Sequence, residues 1–543
     1  MMKAVKFICL YIFYFSMCLA FYKKAAPASL CYDLLDFLLL YKQKGLAGFA
    51  INFNDSIVRP FFHINHLIIL KLFDLNYNGW NLVSVMLHSL NALLIYLFTR
   101  MLVQLSASKN AVLIPLFAGL IFLLSPYNSE TVVWGCTIHY LTTIALILLS
   151  LMACLKFFVT GNKAYLIIIQ FCFFIGIFSL EFTFMMPFML ICLLYFFYRY
   201  TDTCKRKLFW AVLIVPQLLF FPCYFILNKL ILGKFIGHYG AAVHLNFMLT
   251  NILFNLARYI LNYILFLEYL PYGASHKAIL FLRFNQNHIW PYLLAGILLI
   301  FYFARKKPVL LLSICLFFIG LAPIINIYLW LYFQMESDRM GYLALIFFSI
   351  GLSYAAFTFL KPAFASVLLT GYILLGCFFL EKNTTDWQHA GEISNALVKD
   401  FLKNFSGNNV CILGEAENYN GAYLLTPNFI GHKWNYDLDK RLQLETGKPL
   451  VNSVLHTIHF EMKMETDSVT VQRLSSDSFI VSSSRPEISL LRNEFPLTSF
   501  EDSLHHYKVT MYNDGRKCAI IFKTPVDDRK IIYQAANKWR SLN

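Results

Sequence analysis

Long apolar runs divide the first 380 residues of this chain into pieces of the length that crosses a bilayer. A spanning helix needs roughly 20 consecutive apolar residues. Eleven runs approach or reach that length, and they lie at residues 4–22, 80–100, 110–125, 133–156, 164–180, 182–199, 208–231, 288–304, 308–327, 340–360 and 363–381. The sequence therefore predicts an α-helical polytopic membrane protein with about eleven transmembrane helices.

The composition supports this class and excludes another. Of the 543 residues, 59% are hydrophobic and 14% are charged, whereas soluble domains carry about 25% charged residues. The net charge of +15 would suit a nucleic-acid binder, but Lys and Arg gather in short loops, as expected for loops on the cytoplasmic side. No nucleic-acid partner is expected. Residues 1–22 lack a cleavage signal and are interpreted as a retained first helix.

Charge also predicts the topology. The densest basic loops, near 199–207 and 305–307, should both be cytoplasmic, so an even number of spans separates them. The apolar stretch 247–270 then lies in the interface rather than across the membrane. The N-terminus is predicted inside and the C-terminus outside, and we expect a bacterial inner (cytoplasmic) membrane.

Residues 382–543 differ in kind from residues 1–381. They are polar, with short β-rich runs at 409–413, 478–482, 508–511 and 517–522 and helical patterns at 387–404 and 529–541. We expect a transmembrane domain at 1–381 and a small extracytoplasmic soluble α+β domain at 382–543. Cys411 and Cys518 fall in this polar tail and could form a disulfide, but the sequence does not assign their pairing.

Carboxylates are rare in the transmembrane domain, and such residues usually line a polar cavity or pathway. There are ten before residue 380, namely Asp33, Asp36, Asp55, Asp74, Glu130, Glu181, Asp202, Glu268, Glu336 and Asp338. All except Asp202 are predicted at the external face. Asp33 and Asp36 share one face of a predicted helix over 29–41, where mutual repulsion would suit one of them to general-base work. Ordinary solvated charges are the alternative.

Basic residues in the external segments predict a site for an anionic group. Arg59 carries a planar fork that fits a phosphate, and His63 and His66 follow one turn apart. Arg339, Lys234 and Arg258 are further candidates for phosphate binding. Head-group contacts would explain each of them equally. The two histidines without a third ligand are a weak zinc signal, so no metal or cofactor is predicted.

Two carboxylates in very short external turns are harder to place. Glu130 lies in the first turn of a helix, where the helix dipole favours an anion, and it is also a candidate catalytic residue. Glu181 lies between two apolar runs with almost no loop, so it must be buried against protein or open to a cavity.

Five stretches, taken in order, resemble the polytopic glycosyltransferases of the GT-C class, in particular the transmembrane O-mannosyltransferases with tetratricopeptide repeats and their bacterial relatives. The resemblance extends over about residues 1–381. The five stretches are Arg59-Pro60, His88 with Asn91, Ser125-Pro126 with Glu130, Ser179-Leu180-Glu181, and Asp338-Arg339 with Tyr342. The tail shows no tetratricopeptide repeat. His139 stands where relatives often have Arg, and Leu180 replaces a Lys.

The resemblance implies a transferase that moves a sugar from a polyprenyl-phosphate donor to an acceptor hydroxyl, with inversion, on the extracytoplasmic face. An acidic residue of the first external loop, predicted at residues 23–79, would act as the base. Asp36 corresponds best to the family's acidic pair, but here that pair is interrupted, and Asp33 remains the other candidate. His88, Asn91, His139, Glu181 and Asp338 would line the cavity. The acceptor stays open.

Two other functions compete with this one. Transporters and lipid flippases place charges near mid-membrane and often carry inverted repeats, whereas these carboxylates lie near the ends of spans and no repeat is evident. A catalytically inactive assembly protein is the third alternative.

Overall fold

The computed structural model describes residues 2–45, 59–106, 110, 112–233, 235, 249–270, 277–278, 281, 285–325, 338–406, 409–426, 428–430, 433–447, 454–492, 495–502, 505–512, 515–523, 526 and 529–542. Its helices are α1 Met2–Tyr22, α2 Asp33–Lys44, α3 Pro60–Phe73, α4 Tyr77–Leu105, α5 Leu113–Leu123, α6 Ser129–Val133, α7 Ile138–Thr160, α8 Ala164–Ile177, α9 Met186–Phe196, α10 Thr203–Phe209, α11 Val215–Leu232, α12 Leu249–Leu265, α13 Gln286–Ala304, α14 Pro308–Leu321, α15 Tyr342–Phe359, α16 Pro362–Asn404 and α17 Asp437–Thr446. Short 3-10 turns lie at Lys23–Ala28, Pro126–Asn128, Gly135–Thr137, Glu181–Met185, Leu267–Tyr269 and Asp338–Gly341.

The chain is a multi-pass helical membrane protein with a C-terminal β-sheet domain, as the sequence predicts. Within the described residues, six helices are long and apolar enough to cross a membrane, and a seventh span results if α5 and the segment Pro126–Val133, bent by 56°, count as one. Six shorter apolar helices accompany them. The predicted number of eleven spans remains a prediction.

The predicted external turns meet at one end of the helix bundle. Tyr127 donates a hydrogen bond to the carbonyl of Asn262 at 3.0 Å, and Tyr263 donates to the carbonyl of Gly341 at 2.9 Å. At the other end, Tyr200 donates to the carbonyl of Leu105 at 2.7 Å. The segments around 126–134, 262–269 and 338–341 therefore share one end, and the 199–207 loop lies at the opposite end.

One helix joins the two parts of the chain. The predicted span 363–381 and the predicted soluble helix 387–404 form the single helix α16, which runs over 43 residues. The predicted boundary at 381/382 falls inside it. Gly391 of α16 packs directly on the backbone of Pro27 and Ala28, so the soluble half of this helix is seated on the segment that follows α1.

The C-terminal part is built from sixteen described strands. They are β1 Val410–Ile412, β2 Glu415–Tyr419, β3 Ala422–Tyr423, β4 Asn428–Ile430, β5 Lys433–Asn435, β6 Val454–His456, β7 His459–Met462, β8 Val469–Arg473, β9 Ser478–Ser483, β10 Leu490–Arg492, β11 Phe495–Pro496, β12 Phe500–Asp502, β13 Tyr507–Tyr512, β14 Lys517–Phe522, β15 Lys530–Ala535 and β16 Lys538–Ser541. They form sheets in the orders β16-β15-β1-β6, β11-β10-β7-β2-β3, β12-β13-β14-β9-β8 and β4-β5. The four predicted β-rich runs are confirmed.

The predicted helix at 529–541 is wrong. This stretch forms the hairpin β15–β16, and β15 also pairs in parallel with β1. Its Lys, Gln and Ala residues favour a helix, but sheet pairing overrides that weak preference. Ala536 takes a left-handed φ of +57° at the turn, and its N–H donates to the carbonyl of Asp467 at 3.2 Å.

The suggested disulfide is not formed. Cys411 and Cys518 are both free and buried. Cys411 lies on β1 and Cys518 on β14, which belong to different sheets. Both side chains act as small apolar groups.

We expect Gly391→Ala to destabilise the fold, because a Cβ at this position would meet the backbone atoms of Ala28 and Pro27 at 2.5 Å. Overpacking of this kind costs about 1–3 kcal/mol. Gly371→Ala on the same helix is the matched control, since a Cβ there meets no atom within 4 Å. Thermal unfolding in detergent should show a loss for the first variant alone. Equal stability of the two variants would contradict the packing of α16 on the segment after α1.

We expect Cys residues placed at Lys205 and Ser476 to react with an impermeant thiol reagent from opposite sides of the membrane. The background should carry Ser in place of Cys9, Cys204 and Cys223, which are exposed. Labelling of both positions from one side would contradict the predicted topology.

Candidate active site

A buried ion pair joins two of the motif stretches. Glu130 opens α6 and is fully buried, and it forms a salt bridge with the guanidinium of Arg339. The backbone N–H of Arg339 also donates to Glu130 at 2.8 Å, and the hydroxyl of Tyr423 donates to it at 3.2 Å. Burying a carboxylate is costly unless it is paired and hydrogen-bonded. Glu130 therefore holds the start of α15 and the soluble strand β3 against the helix bundle.

A second ion pair joins two further stretches. Arg59 precedes α3, and its Nε donates to Glu181 Oε1 at 3.0 Å, with a further contact from its Nη2. The N–H of Phe61 donates to the carbonyl of Phe178 at 3.2 Å, so backbone and side-chain contacts agree. Both partners are partly exposed, at 19% for Arg59 and 28% for Glu181. Glu181 is thus neither sealed in the core nor a solvated loop charge.

Three further motif residues, His88, Asn91 and Tyr342, form a buried polar cluster. His88 and Asn91 on α4 are fully buried. Asn91 donates to the hydroxyl oxygen of Tyr342 at 3.2 Å and to the carbonyl of Leu141 at 3.0 Å. His88 Nε2 faces the carbonyl of Leu123 at 3.1 Å, so it must carry the proton, and the Tyr342 hydroxyl donates to Nδ1 at 2.7 Å. These residues tie α4, α5, α7 and α15 together, which is a packing role rather than the lining of an opening.

The paired carboxylates lie at the start of α2. Asp33 and Asp36 are in its first turn, and both are partly buried. Lys440 of α17 donates to Asp36 at 2.9 Å. The N–H of Tyr32, just before α2, donates to Asp437 at 2.8 Å. Helix α2 is therefore bonded to the soluble domain at two points.

The electrostatic surroundings of Asp33 differ from those of a solvated carboxylate. Burial and the charges of Asp36 and Asp437 raise the pKa of Asp33, the charges of Lys440 and Arg339 lower it, and the pKa is raised to about 7 in all. A carboxyl group in this range exchanges its proton near neutral pH, which is a property of general bases.

The carboxylate pair Asp33–Asp36 lies near the two motif arginines, Arg59 and Arg339. Trp134 donates from Nε1 to the carbonyl of Cys31 at 3.1 Å, and Gly135 donates to the carbonyl of Ser29 at 3.0 Å. Arg339 lies over the Trp134 ring, 5.0 Å from its centroid. The Cys136 side chain lies within electrostatic range of Asp33, Arg59 and Arg339. The carboxylate pair and both motif arginines thus surround the segment 134–136.

Arg258, a candidate phosphate ligand, is buried and paired. Its Nε donates to Glu268 at 2.7 Å, and only 3% of it is exposed. Asp338, predicted to line the cavity, is also buried and lies near this pair, with Tyr269 at 3.5 Å. Arg258 holds α12 against the 3-10 turn at Leu267–Tyr269.

The three histidines near α3 are packed rather than arranged around an ion. His63 Nδ1 lies 2.6 Å from the Tyr41 hydroxyl, and the two ring nitrogens of His66 face carbonyls of Phe62 and Cys136 at 2.8 and 3.2 Å. His139 Nδ1 faces the carbonyl of Cys136 at 2.7 Å. The described part of the chain contains no group of three or more His, Cys, Asp or Glu arranged to hold a metal ion. Lys234 lies outside the described residues.

The soluble domain contributes residues that the sequence analysis missed. Tyr423 stacks on Tyr32, with ring centroids 4.8 Å apart, and also contacts Trp134 and Trp387. Lys440 and Asp437 complete the surroundings of Asp36. The available signal was the Asp437-Leu-Asp-Lys440 pattern, which places Asp437 and Lys440 on one helix face, but nothing in it indicates which partner they meet.

No family model and no curated protein matches the sequence. Among solved structures, the chain is similar to the crystal structure of ArnT from Cupriavidus metallidurans bound to undecaprenyl phosphate, with 10% identity, a TM-score of 0.38, and coverage of 95% of this chain and 97% of that chain.

We expect Tyr342→Phe to lower stability, because it leaves His88 Nδ1 without its donor and removes one of the two acceptors of the Asn91 amide in a fully buried place. An unsatisfied buried polar group costs about 1–3 kcal/mol. Tyr195→Phe, at 76% exposure, is the control. Unfolding in detergent measures both variants. Normal stability combined with lost activity would mean that Tyr342 serves the reaction instead.

Proposed function

We propose that this chain is a membrane glycosyltransferase of the GT-C class that transfers a sugar from a polyprenyl-phosphate donor to an acceptor hydroxyl. The proposal is carried by one observation. All five motif stretches contact another of the five: Arg59 pairs with Glu181, Glu130 pairs with Arg339, and His88 and Asn91 bond to Tyr342. Residues that are only loosely similar to a family in sequence therefore form two connected groups, and Arg59 of one and Arg339 of the other are, like Asp33, within electrostatic range of Cys136.

Asp33 is our choice for the general base. A base must be deprotonated in a useful fraction of molecules and still hold a proton well, so a pKa near the working pH is favourable. Asp33 has a pKa of about 7. Asp36 is held by Lys440 at 2.9 Å, which favours its charged form. The motif resemblance favours Asp36, and the charges around the two residues favour Asp33.

The proposed sugar transfer takes place in one step. Asp33 takes the proton of the acceptor hydroxyl, the hydroxyl oxygen forms a bond to the anomeric carbon, and the bond from that carbon to the phosphate oxygen breaks. The polyprenyl phosphate leaves with the electron pair. A single displacement of this kind inverts the anomeric configuration.

Arg339 is the proposed ligand of the donor phosphate. Its guanidinium lies within electrostatic range of Asp33, and its planar fork fits the oxygens of a phosphate. Glu130 fixes the orientation of this side chain. Arg59 contacts Glu181, and His63 contacts Tyr41. We propose that Arg59 and His63 support the site through these two contacts.

We expect Asp33→Asn to lower sugar transfer by on the order of 100-fold or more while leaving the binding of a polyprenyl phosphate unchanged. Wild-type transfer should rise with pH through about 7, because a base acts in its deprotonated form.

Arg339→Lys keeps the charge but loses the fork, so it should weaken binding of the lipid phosphate. Transfer is measured by mass spectrometry of glycans in a deletion strain that carries each variant, and binding is measured on purified protein in nanodiscs.

The matched control is Asp74→Asn. Asp74 also belongs to the first external loop and pairs with Lys42 at 2.8 Å, but its side chain is 70% exposed, so transfer should continue. Full activity of Asp33→Asn would assign the base to Asp36 or another group. An unchanged glycan profile in the deletion strain, with substrate or lipid accumulating on one side of the membrane, would favour a transporter or flippase.

A further inference from the structure

Lys440 is a buried lysine whose charged group reaches out of the soluble domain. Only 4% of the residue is exposed. Its Nζ lies 2.9 Å from Asp36 and 3.2 Å from Asp437. Burial alone would lower the pKa of Lys440, but the charges of Asp437 and Asp36 raise it. The lysine is therefore a fixed cation placed between carboxylates of the two domains.

The helix that carries Lys440 is itself anchored from two sides. On the sheet side, His456 bridges Glu415 at 2.5 Å and Asp439 at 3.2 Å, and Tyr436 stacks on the His456 ring with centroids 3.7 Å apart. These contacts fix α17 on strands β2 and β6.

On the other side, Arg441 donates to Ser394 at 2.7 Å and to Asn395 at 2.5 Å, which are both on α16. The position of the Lys440 ammonium is thus set by the soluble domain and not by a freely moving side chain.

We propose that Lys440 is a positioning residue of the transferase, which sets the protonation of the Asp33–Asp36 pair and so makes the docked C-terminal domain part of the catalytic site. This inference rests on the proposed function. A buried contact between domains is met as well by apolar side chains, so stability alone does not explain a buried cation at this place. The ammonium group of Lys440, beside Asp36 and within electrostatic range of Asp33, does explain how these two carboxylates are kept close together without both being protonated.

The charges around Asp33 predict two opposite effects. They comprise Asp36 and Asp437, which raise its pKa, and Lys440 and Arg339, which lower it. Arg441, next to Lys440, faces Asp437 and Glu445. Removing the positive charge of Lys440 should therefore raise the pKa of Asp33, and removing the negative charge of Asp36 should lower it.

The test compares two variants that break the same ion pair. We expect Lys440→Met to move the rise of transfer with pH to higher pH by about one unit, and Asp36→Asn to move it to lower pH, as expected for loss of an opposite or a like charge nearby. At a pH below the rise, Lys440→Met should then be about tenfold slower than wild type. Lys440→Arg keeps the charge and should keep the wild-type profile.

The control is Lys523→Met, which breaks an exposed ion pair with Glu501 at 2.6 Å and should shift nothing. Should Lys440→Met fail to fold, the double variant Asp36→Asn/Lys440→Met removes both charges together. Its profile should lie at higher pH than that of Asp36→Asn alone, and an identical profile would overturn the role of Lys440.

A second readout separates this inference from the proposed function. The reaction of Asp33 with a water-soluble carbodiimide, which needs a protonated carboxyl, is followed by mass spectrometry as pH rises. Opposite shifts for the two variants support the role of Lys440 even if no sugar transfer is found. Shifts in the same direction, or none, overturn it even if transfer is confirmed.

Discussion

A charge buried in this helix bundle must find its partner within the protein, and that constraint fixes the end of the bundle where the candidate site lies. Glu130 is fully buried and is met by Arg339, 209 residues away in the chain. Arg258 and Glu268 are both buried and paired. Removing one member of such a pair costs about 3–5 kcal/mol, because the other charge is left buried. Segments far apart in sequence are thereby held at set positions, and the carboxylates of α2 are presented among them.

The helical part of the fold could be predicted because hydrocarbon imposes a simple rule on the backbone. Every N–H and C=O in a bilayer must be bonded within its own segment, so an apolar run of sufficient length becomes a helix. The tail has no such rule. Residues 529–541 contain good helix formers, yet they pair with β1 as a hairpin. The helix α16 shows a second error, in which one helix was predicted as two. Its polar half looks like a separate helix, but it continues the span without a break.

The candidate site was only partly predictable for a different reason. The residue types at Arg59, Glu130, Glu181 and Arg339 indicated that charge matters there, but the sequence does not state which charges meet. Arg59 was predicted to bind phosphate, which stays a prediction, and nothing in the sequence indicated that it contacts Glu181. His88 and Asn91 were predicted to line a cavity, and they are fully buried in a hydrogen-bonded cluster. Lys440 lies 404 positions from Asp36, in a stretch that carries none of the motifs.

The balance of charge explains why a proton remains at this site near neutral pH. Asp33 faces two further carboxylates, Asp36 and Asp437, and two cations, Lys440 and Arg339. Arg339 is shared with Glu130, so negative charge is in excess. Protons relieve that excess at two of these carboxyls, since burial raises the pKa of Asp33 to about 7 and that of Asp437 to about 6. One of them belongs to the membrane domain and the other to the soluble domain. The base strength of the site is therefore a property of the assembled pair of domains, and a transmembrane domain without its tail would hold the same aspartates with a different proton affinity.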